Sequence, residues 1–337
     1  MSARKSLLVI GGCGYIGSHM VSCLIDAGHQ VTVLDDLSTG FSDSLLGGEL
    51  NVGNFGCRET LDALFSKNKY DGVLHFASLI QVGESVAQPA AYYQNNVANT
   101  LTLLTAMIEH KVGPMVFSST AAVFGEPDYV PIDEAHPRQP MNPYGMSKYM
   151  VEAMLRDFDT AYGLRSVSLR YFNAAGADPQ GRIGERHNPE THLIPLALRA
   201  LLDESSNFKI FGDDYDTPDG TCIRDYVHVA DLADAHLCAL NYLWQGGATS
   251  AFNLGSGSGF SVQEILDTIK TVVGKAVRVE TVSRRAGDPA RLVADSALAM
   301  ARLGWRPKFS SLDTIVRHAW QWEQVRPVFI PRTVPRH

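Results

Sequence analysis

Short apolar, β-branched runs alternate with longer segments of helical period from the N-terminus to about Arg170. The runs at residues 6–10, 30–34, 72–76, 115–118 and 166–170 are brief and bounded by turn residues, which predicts strands. Between them, residues 15–27, 60–67, 90–109 and 143–161 repeat apolar positions at helical spacing and predict helices with one buried face. Strand and helix in alternation define an α/β fold. Right-handed crossovers then give a doubly wound parallel Rossmann-type sheet.

The rhythm changes after Gly176. Residues 177–190 and 212–221 are rich in turn formers and charge without a sustained period, and read as long loops. Ser261 and Glu264, ahead of Ile265, Leu266 and Ile269, have the form of a capping box, so a helix starts there. The expected division is a nucleotide-binding domain over residues 1–176 and a smaller C-terminal substrate-binding α/β lobe over 177–337, part of it packing back onto the first.

Composition narrows the partners. A net charge of -7 excludes a protein held to nucleic acid by a basic surface. Cys13, Cys23, Cys57, Cys222 and Cys238 are widely spaced and never form Cys-x-x-Cys. They read as buried thiols of a reducing compartment, with no disulfide framework and no metal ligand set expected. The apolar run after Arg4 and Lys5 stops at Gly11, too short for a signal peptide, and no stretch approaches the ~20 apolar residues of a membrane span. A cytoplasmic location is expected.

Candidate chemistry starts directly after the first strand, at Gly11-Gly12-Cys13-Gly14-Tyr15-Ile16-Gly17. Glycines there allow a tight turn and let backbone N–H groups meet a pyrophosphate at the positive end of the next helix. The second strand ends in Asp35-Asp36, placed to accept hydrogen bonds from an adenosine ribose and to repel a 2′-phosphate, which favours NAD over NADP. Tyr144 and Lys148, four apart on a predicted helix, share one face. A phenol with a pKa of about 10 becomes a useful base only beside a cation such as Lys148. Ser119 and Thr120 put hydroxyls at a strand's C-terminal end, where such sheets bind ligands.

Together with His75-Phe76-Ala77, Asn142-Pro143-Tyr144-Gly145-Met146-Ser147-Lys148, Arg170-Tyr171-Phe172-Asn173 and Arg224-Asp225-Tyr226-Val227-His228-Val229, these words are similar to the nucleotide-sugar epimerases of the extended short-chain dehydrogenase/reductase family, across nearly the whole chain. The resemblance implies an NAD-dependent isomerase that inverts C4 of a UDP-hexose, and a homodimer paired through helices 90–109 and 143–161. It implies that Thr120 bonds the sugar 4-hydroxyl, that Tyr144 is the general base and acid, and that Lys148 tunes it while holding the nicotinamide ribose. Asn95 and Tyr171 fall near the cofactor. Asn173 and His192 fall to the substrate, Arg224 and Arg285 to the diphosphate, Asp288 to the uridine ribose, and Leu292 to a gate beside the sugar's C2 substituent. The chain departs from the family pattern at Leu79-Ile80-Gln81, where a lysine often meets the cofactor pyrophosphate, at Asn54 near the adenine, and at His192. Thr120 is followed by Ala121 and Ala122, without the acid pair of the 4,6-dehydratases.

Overall fold

The computed structural model describes residues 4–203, 207–285 and 288–327. Seven parallel strands form the central sheet, in the order Ser250–Leu254, Ser166–Tyr171, Met115–Thr120, Gly72–His75, Ser6–Ile10, Gln30–Asp35 and Glu49–Val52. The strand Ser6–Ile10 pairs with Gln30–Asp35 on one side and Gly72–His75 on the other. The winding therefore reverses beside it, and the reversal opens a crevice at the strands' C-terminal ends.

The five strands expected from the pattern are present, with ends shifted by a residue or two. Two further strands carry no clear pattern. Glu49–Val52 is a partly exposed edge strand, so little burial marks it. Ser250–Leu254 comes from beyond Gly176 and pairs with Ser166–Tyr171, so the C-terminal half also builds the first sheet. It follows the helix Val229–Trp244, which packs on the helix Tyr15–Asp26.

One face of the sheet buries Val21, Leu24, Leu232 and Leu240, and the opposite face buries Leu61, Leu104, Val151 and Leu155. A separate core joins Ile194 and Leu198, Ile265 and Ile269, and Ile315 from the helices Leu193–Leu202, Val262–Val273 and Leu312–Val325. The capping box forms as expected. Ser261 Oγ accepts from Glu264 N, and the Glu264 carboxylate accepts from Ser261 N. Residues 328–337 of the expected lobe lie outside the described residues, as does Gly287 of the segment before Leu292.

Two expectations need correction. The helix expected over residues 90–109 is three pieces, Pro89–Tyr92, a π-helical turn Tyr93–Ala98, and Asn99–Glu109. The wide turn lets Asn96 leave the helical ladder. Its amide accepts from Leu79 N, donates to Leu79 O and reaches Ser147 Oγ, so hydrogen bonds outside the helix stabilise the insertion. The thiols also differ. All five cysteines are free, but only Cys13 is buried, because the other four sit where a small side chain is only partly covered. Among the described residues, no helix is long and apolar enough to cross a membrane.

Candidate active site

The glycine turn is dictated by contact. Gly11 has φ +79, and a Cβ there would stand 2.4 Å from Ala77 N. A Cβ on Gly17 would stand 2.1 Å from the Gly11 carbonyl oxygen. Both positions exclude any side chain. The helix Tyr15–Asp26 begins at Gly14 with no side-chain cap, so its first N–H groups and positive dipole end are available to an anion. Tyr15 OH donates to Gly176 O at 2.6 Å, which ties this helix to the loop that follows the first half of the chain.

The two acids at the end of the second strand have different surroundings. Asp35 accepts from Cys13 N at 2.9 Å and Leu37 N at 2.8 Å, and so fastens the glycine turn to the strand end. Burial pushes its carboxyl above the usual range, and those two N–H bonds oppose the shift. Asp36 is exposed, accepts from Ser38 N and is reached by Asn54 Nδ2 at 3.4 Å. Of the pair, Asp36 presents the freer carboxylate to a ribose. Asn54 steadies it and also accepts from Gly56 N at 2.7 Å.

The reacting groups meet at the end of the central strand. Asn142 caps the helix Pro143–Tyr162 by accepting from Gly145 N at 2.9 Å, and Pro143 occupies its first turn. Gly145 lets this helix approach the chain after Thr120, since a Cβ would lie 2.4 Å from Ala122 O. Tyr144 is thereby brought beside Thr120, and both line the same cleft. Burial raises the Tyr144 phenol and the neighbouring Thr120 hydroxyl partly offsets this. One turn on, the Lys148 Nζ donates to Ser78 Oγ at 2.6 Å and Ser118 O at 2.8 Å. Burial drives Lys148 down to about 7, against the nearby Glu152 charge. Glu152 is held by Arg170 and Ser119 in a buried network behind the site.

These elements enclose a cleft of about 690 Å³. Gly11, Gly14, Tyr15, Ile16, Gly17, Asp35, Asp36, Asn95, Thr120, Tyr144, Lys148, Tyr171, Asn173 and His192 all line it. Tyr171 OH is hydrogen-bonded to Ser118 Oγ, and Asn95 donates to Asn96 Oδ1 at 3.0 Å. The other predicted residues lie outside this lining. Arg224 is ion-paired with Asp288, Arg285 is exposed over the Phe211 ring at 3.9 Å, and Leu292 packs against the buried cluster that holds Phe124 and Ile132.

Sequence reasoning missed several participants. Ser78 carried no motif, and Asn96, although it stands in the family-like word Tyr92-Tyr93-Gln94-Asn95-Asn96-Val97, was given no role, because both roles depend on segments far apart in the chain. Arg186 also lines the cleft, stacks on Phe41 at 3.7 Å and pairs with Asp43. Glu185, His187, Glu190 and His192 gather at one wall, and their alternation within eight positions was the signal inside a stretch read only as loop. Burial opposes charge on both imidazoles, but the two carboxylates outweigh it and lift His187 to about 9 and His192 to about 10.

A glycine turn that any Cβ would fill, an uncapped helix start and an exposed acid at the second strand fit a dinucleotide. Residues 7–255 match the NAD dependent epimerase/dehydratase family, and the chain belongs to it. The chain is 51% identical over 322 residues to the UDP-glucose 4-epimerase of Halalkalibacterium halodurans, covering 96% of each. It is 50% identical over 323 residues to that of Rhizobium meliloti, covering 96% of this chain and 98% of the relative. Among solved structures, the UDP-glucose 4-epimerase of Brucella ovis in complex with NAD superimposes with a TM-score of 0.92 at 46% identity, covering 94% of this chain and 98% of that one.

Proposed function

We propose that this protein interconverts UDP-glucose and UDP-galactose by inverting C4 of the hexose, with NAD as its cofactor. The observation that carries this reading is that Thr120, Tyr144 and Lys148 together line the cleft that the glycine turn also lines. Gly11, Gly14, Ile16 and Gly17 would hold the pyrophosphate, Asp36 with Asp35 the adenosine ribose, and Lys148, Asn95 and Tyr171 the nicotinamide end. The chemistry NAD supplies when bound is acceptance and return of a hydride at C4.

The chain's own residues move the proton and hold the sugar. Thr120 orients the 4-hydroxyl, and Tyr144 removes its proton as the C4–H bond breaks, leaving a 4-keto sugar. Lys148 is the cation that favours the phenolate, and Ser78 and Ser118 aim its ammonium. Once the ketone has turned its other face, Tyr144 returns the proton to the oxygen. Asn173 and His192 in the cleft are assigned to the substrate, Arg224 and Arg285 beyond it to the diphosphate, and Asp288 to the uridine ribose. A planar guanidinium suits that anion. Arg224 and Asp288, which are ion-paired with each other, must then part, the one for the diphosphate and the other for the ribose.

A dehydratase of the same family would need an acid and a base beside Thr120 to eliminate water. Here Ala121 and Ala122 follow, and Ala121 is buried with Phe124 and Ile132, which supports epimerisation. Five free thiols support a cytoplasmic setting. Exposed Leu101 and Met150, on the two helices expected to pair, support a homodimer. The test is incubation of the purified protein with UDP-galactose and NAD. UDP-glucose should form, and its absence would overturn the assignment.

A further inference from the structure

We propose that Glu185, His187, Glu190 and His192 together bind one divalent transition-metal ion of the zinc type. One donor atom from each of the four lies within 4.8 Å of the others. Nitrogen and oxygen alternate around the group. His192 Nδ1 stands 2.8 Å from Glu185 Oε1 and 3.0 Å from Glu190 Oε1, and His187 Nδ1 stands 3.3 and 3.7 Å from the same two oxygens. Four donors arranged tetrahedrally at bonds of about 2.0–2.1 Å would be separated by about 3.4 Å, close to the middle of those distances.

A second observation points the same way. Glu185 Oε1 and His187 Nδ1 are buried without a hydrogen-bond partner, although each lies close to atoms of the cluster. Glu185 itself is only 4% exposed. Close approach without hydrogen-bond geometry leaves costly orphaned polar groups. A cation between them satisfies all four donors at once, because coordination requires no proton on the line between two heavy atoms. Two carboxylates balance the charge of a divalent ion, which on binding displaces the protons that the two imidazoles carry in the metal-free cluster. The surroundings suit a ligand set, since Arg199 donates to Glu190 Oε2 at 3.2 Å and holds the carboxylate from outside.

Imidazole with carboxylate selects zinc-like ions over magnesium or calcium, which prefer oxygen alone. Four protein ligands leave no open position, so the ion would be structural. It would pin the loop before the helix Leu193–Leu202 as one wall of the cleft. The inference does not depend on which sugar the cleft takes.

The test uses the full chain, stripped with a chelator and titrated calorimetrically with Zn²⁺ and then Co²⁺. One equivalent of Zn²⁺ should bind, and Co²⁺ should give the visible absorption of a tetrahedral site without a thiolate charge-transfer band. His187→Gln and Glu185→Gln should each weaken Zn²⁺ at least tenfold, while Cys57→Ser, at a partly covered thiol outside the cluster, should leave it unchanged. Circular dichroism checks that the variants fold, and the Co²⁺ spectrum of the unaltered protein decides the matter if they do not. Absence of stoichiometric binding, a thiolate band, or affinity unchanged in folded His187→Gln and Glu185→Gln would each overturn the proposal.

Discussion

Lys148 Nζ donates to Ser78 Oγ at 2.6 Å, joining two residues 70 positions apart at the sheet's C-terminal edge. Ser78 follows the strand Gly72–His75 and Lys148 lies on the helix Pro143–Tyr162. The bond stabilises the charged form of a lysine that burial, against the nearby Glu152 charge, pushes down to about 7. Ser78→Ala should lower kcat by roughly ten- to a hundredfold, the range for losing a hydrogen bond to a charged group. A lysine is charged below its pKa, so the alkaline fall in activity should begin at lower pH in Ser78→Ala. Ser78→Thr should restore it. A pH profile of kcat identical in all three proteins would remove Ser78 from the mechanism.

Tyr144→Phe should reduce turnover by about a hundred- to ten-thousandfold, the usual worth of a positioned proton carrier, with nucleotide-sugar affinity changed little. Thr120→Ala should cost less, because the phenol still reaches the hydroxyl. Steady-state rates with calorimetric binding of the UDP-sugar separate the two effects.

Arg186 closes one side of the cleft by stacking on Phe41 and pairing with Asp43. With no lysine at Ile80, this contact is the expected brace for cofactor retention. Arg186→Ala should raise the NAD dissociation rate roughly five- to thirtyfold, from about 1–2 kcal/mol of cation–π and ion-pair energy. NAD remaining after gel filtration measures it, and equal retention by both proteins would refute the brace.

Asp36→Ala should raise affinity for NADP⁺ more than it lowers affinity for NAD⁺, since Asp36 is the exposed carboxylate of the pair. Asp35→Ala should instead lower stability, because the Cys13 and Leu37 N–H groups lose their acceptor. Cofactor titrations and thermal melts of the two variants should diverge in this way.

His19, His75, His228 and His236 are buried, and burial lowers them to about 4, 3, 3 and 4. Each folded value lies below the unfolded value of 6.5, so between about pH 6.5 and 4 the unfolded chain binds protons that the folded chain refuses. Stability is present above that window and should fall within it by up to about 1.4 kcal/mol per pH unit for each histidine. His75→Gln should flatten the slope by about one proton. Denaturant midpoints measured across this range test it.

The sequence by itself determined the parts whose signal is local. Strand and helix periods, the glycine turn, the Asn142 cap ahead of Tyr144, and the capping box at Ser261 all follow from neighbours within a few positions, where backbone sterics and hydrogen bonding act. The tertiary structure decided what depends on packing. It brought the strand Ser250–Leu254 to the edge of the first sheet, since any short apolar run can pair with whichever edge is open. It opened a π turn where Asn96 found partners on the loop after the strand Gly72–His75 and on another helix. It gave Asp35 to the glycine turn and left Asp36 exposed, although the two are adjacent and chemically identical in the sequence. It also packed Leu292 against the buried cluster of Phe124 and Ile132 rather than in the cleft lining. In each case the residue's type allowed several roles, and burial with a distant partner selected one.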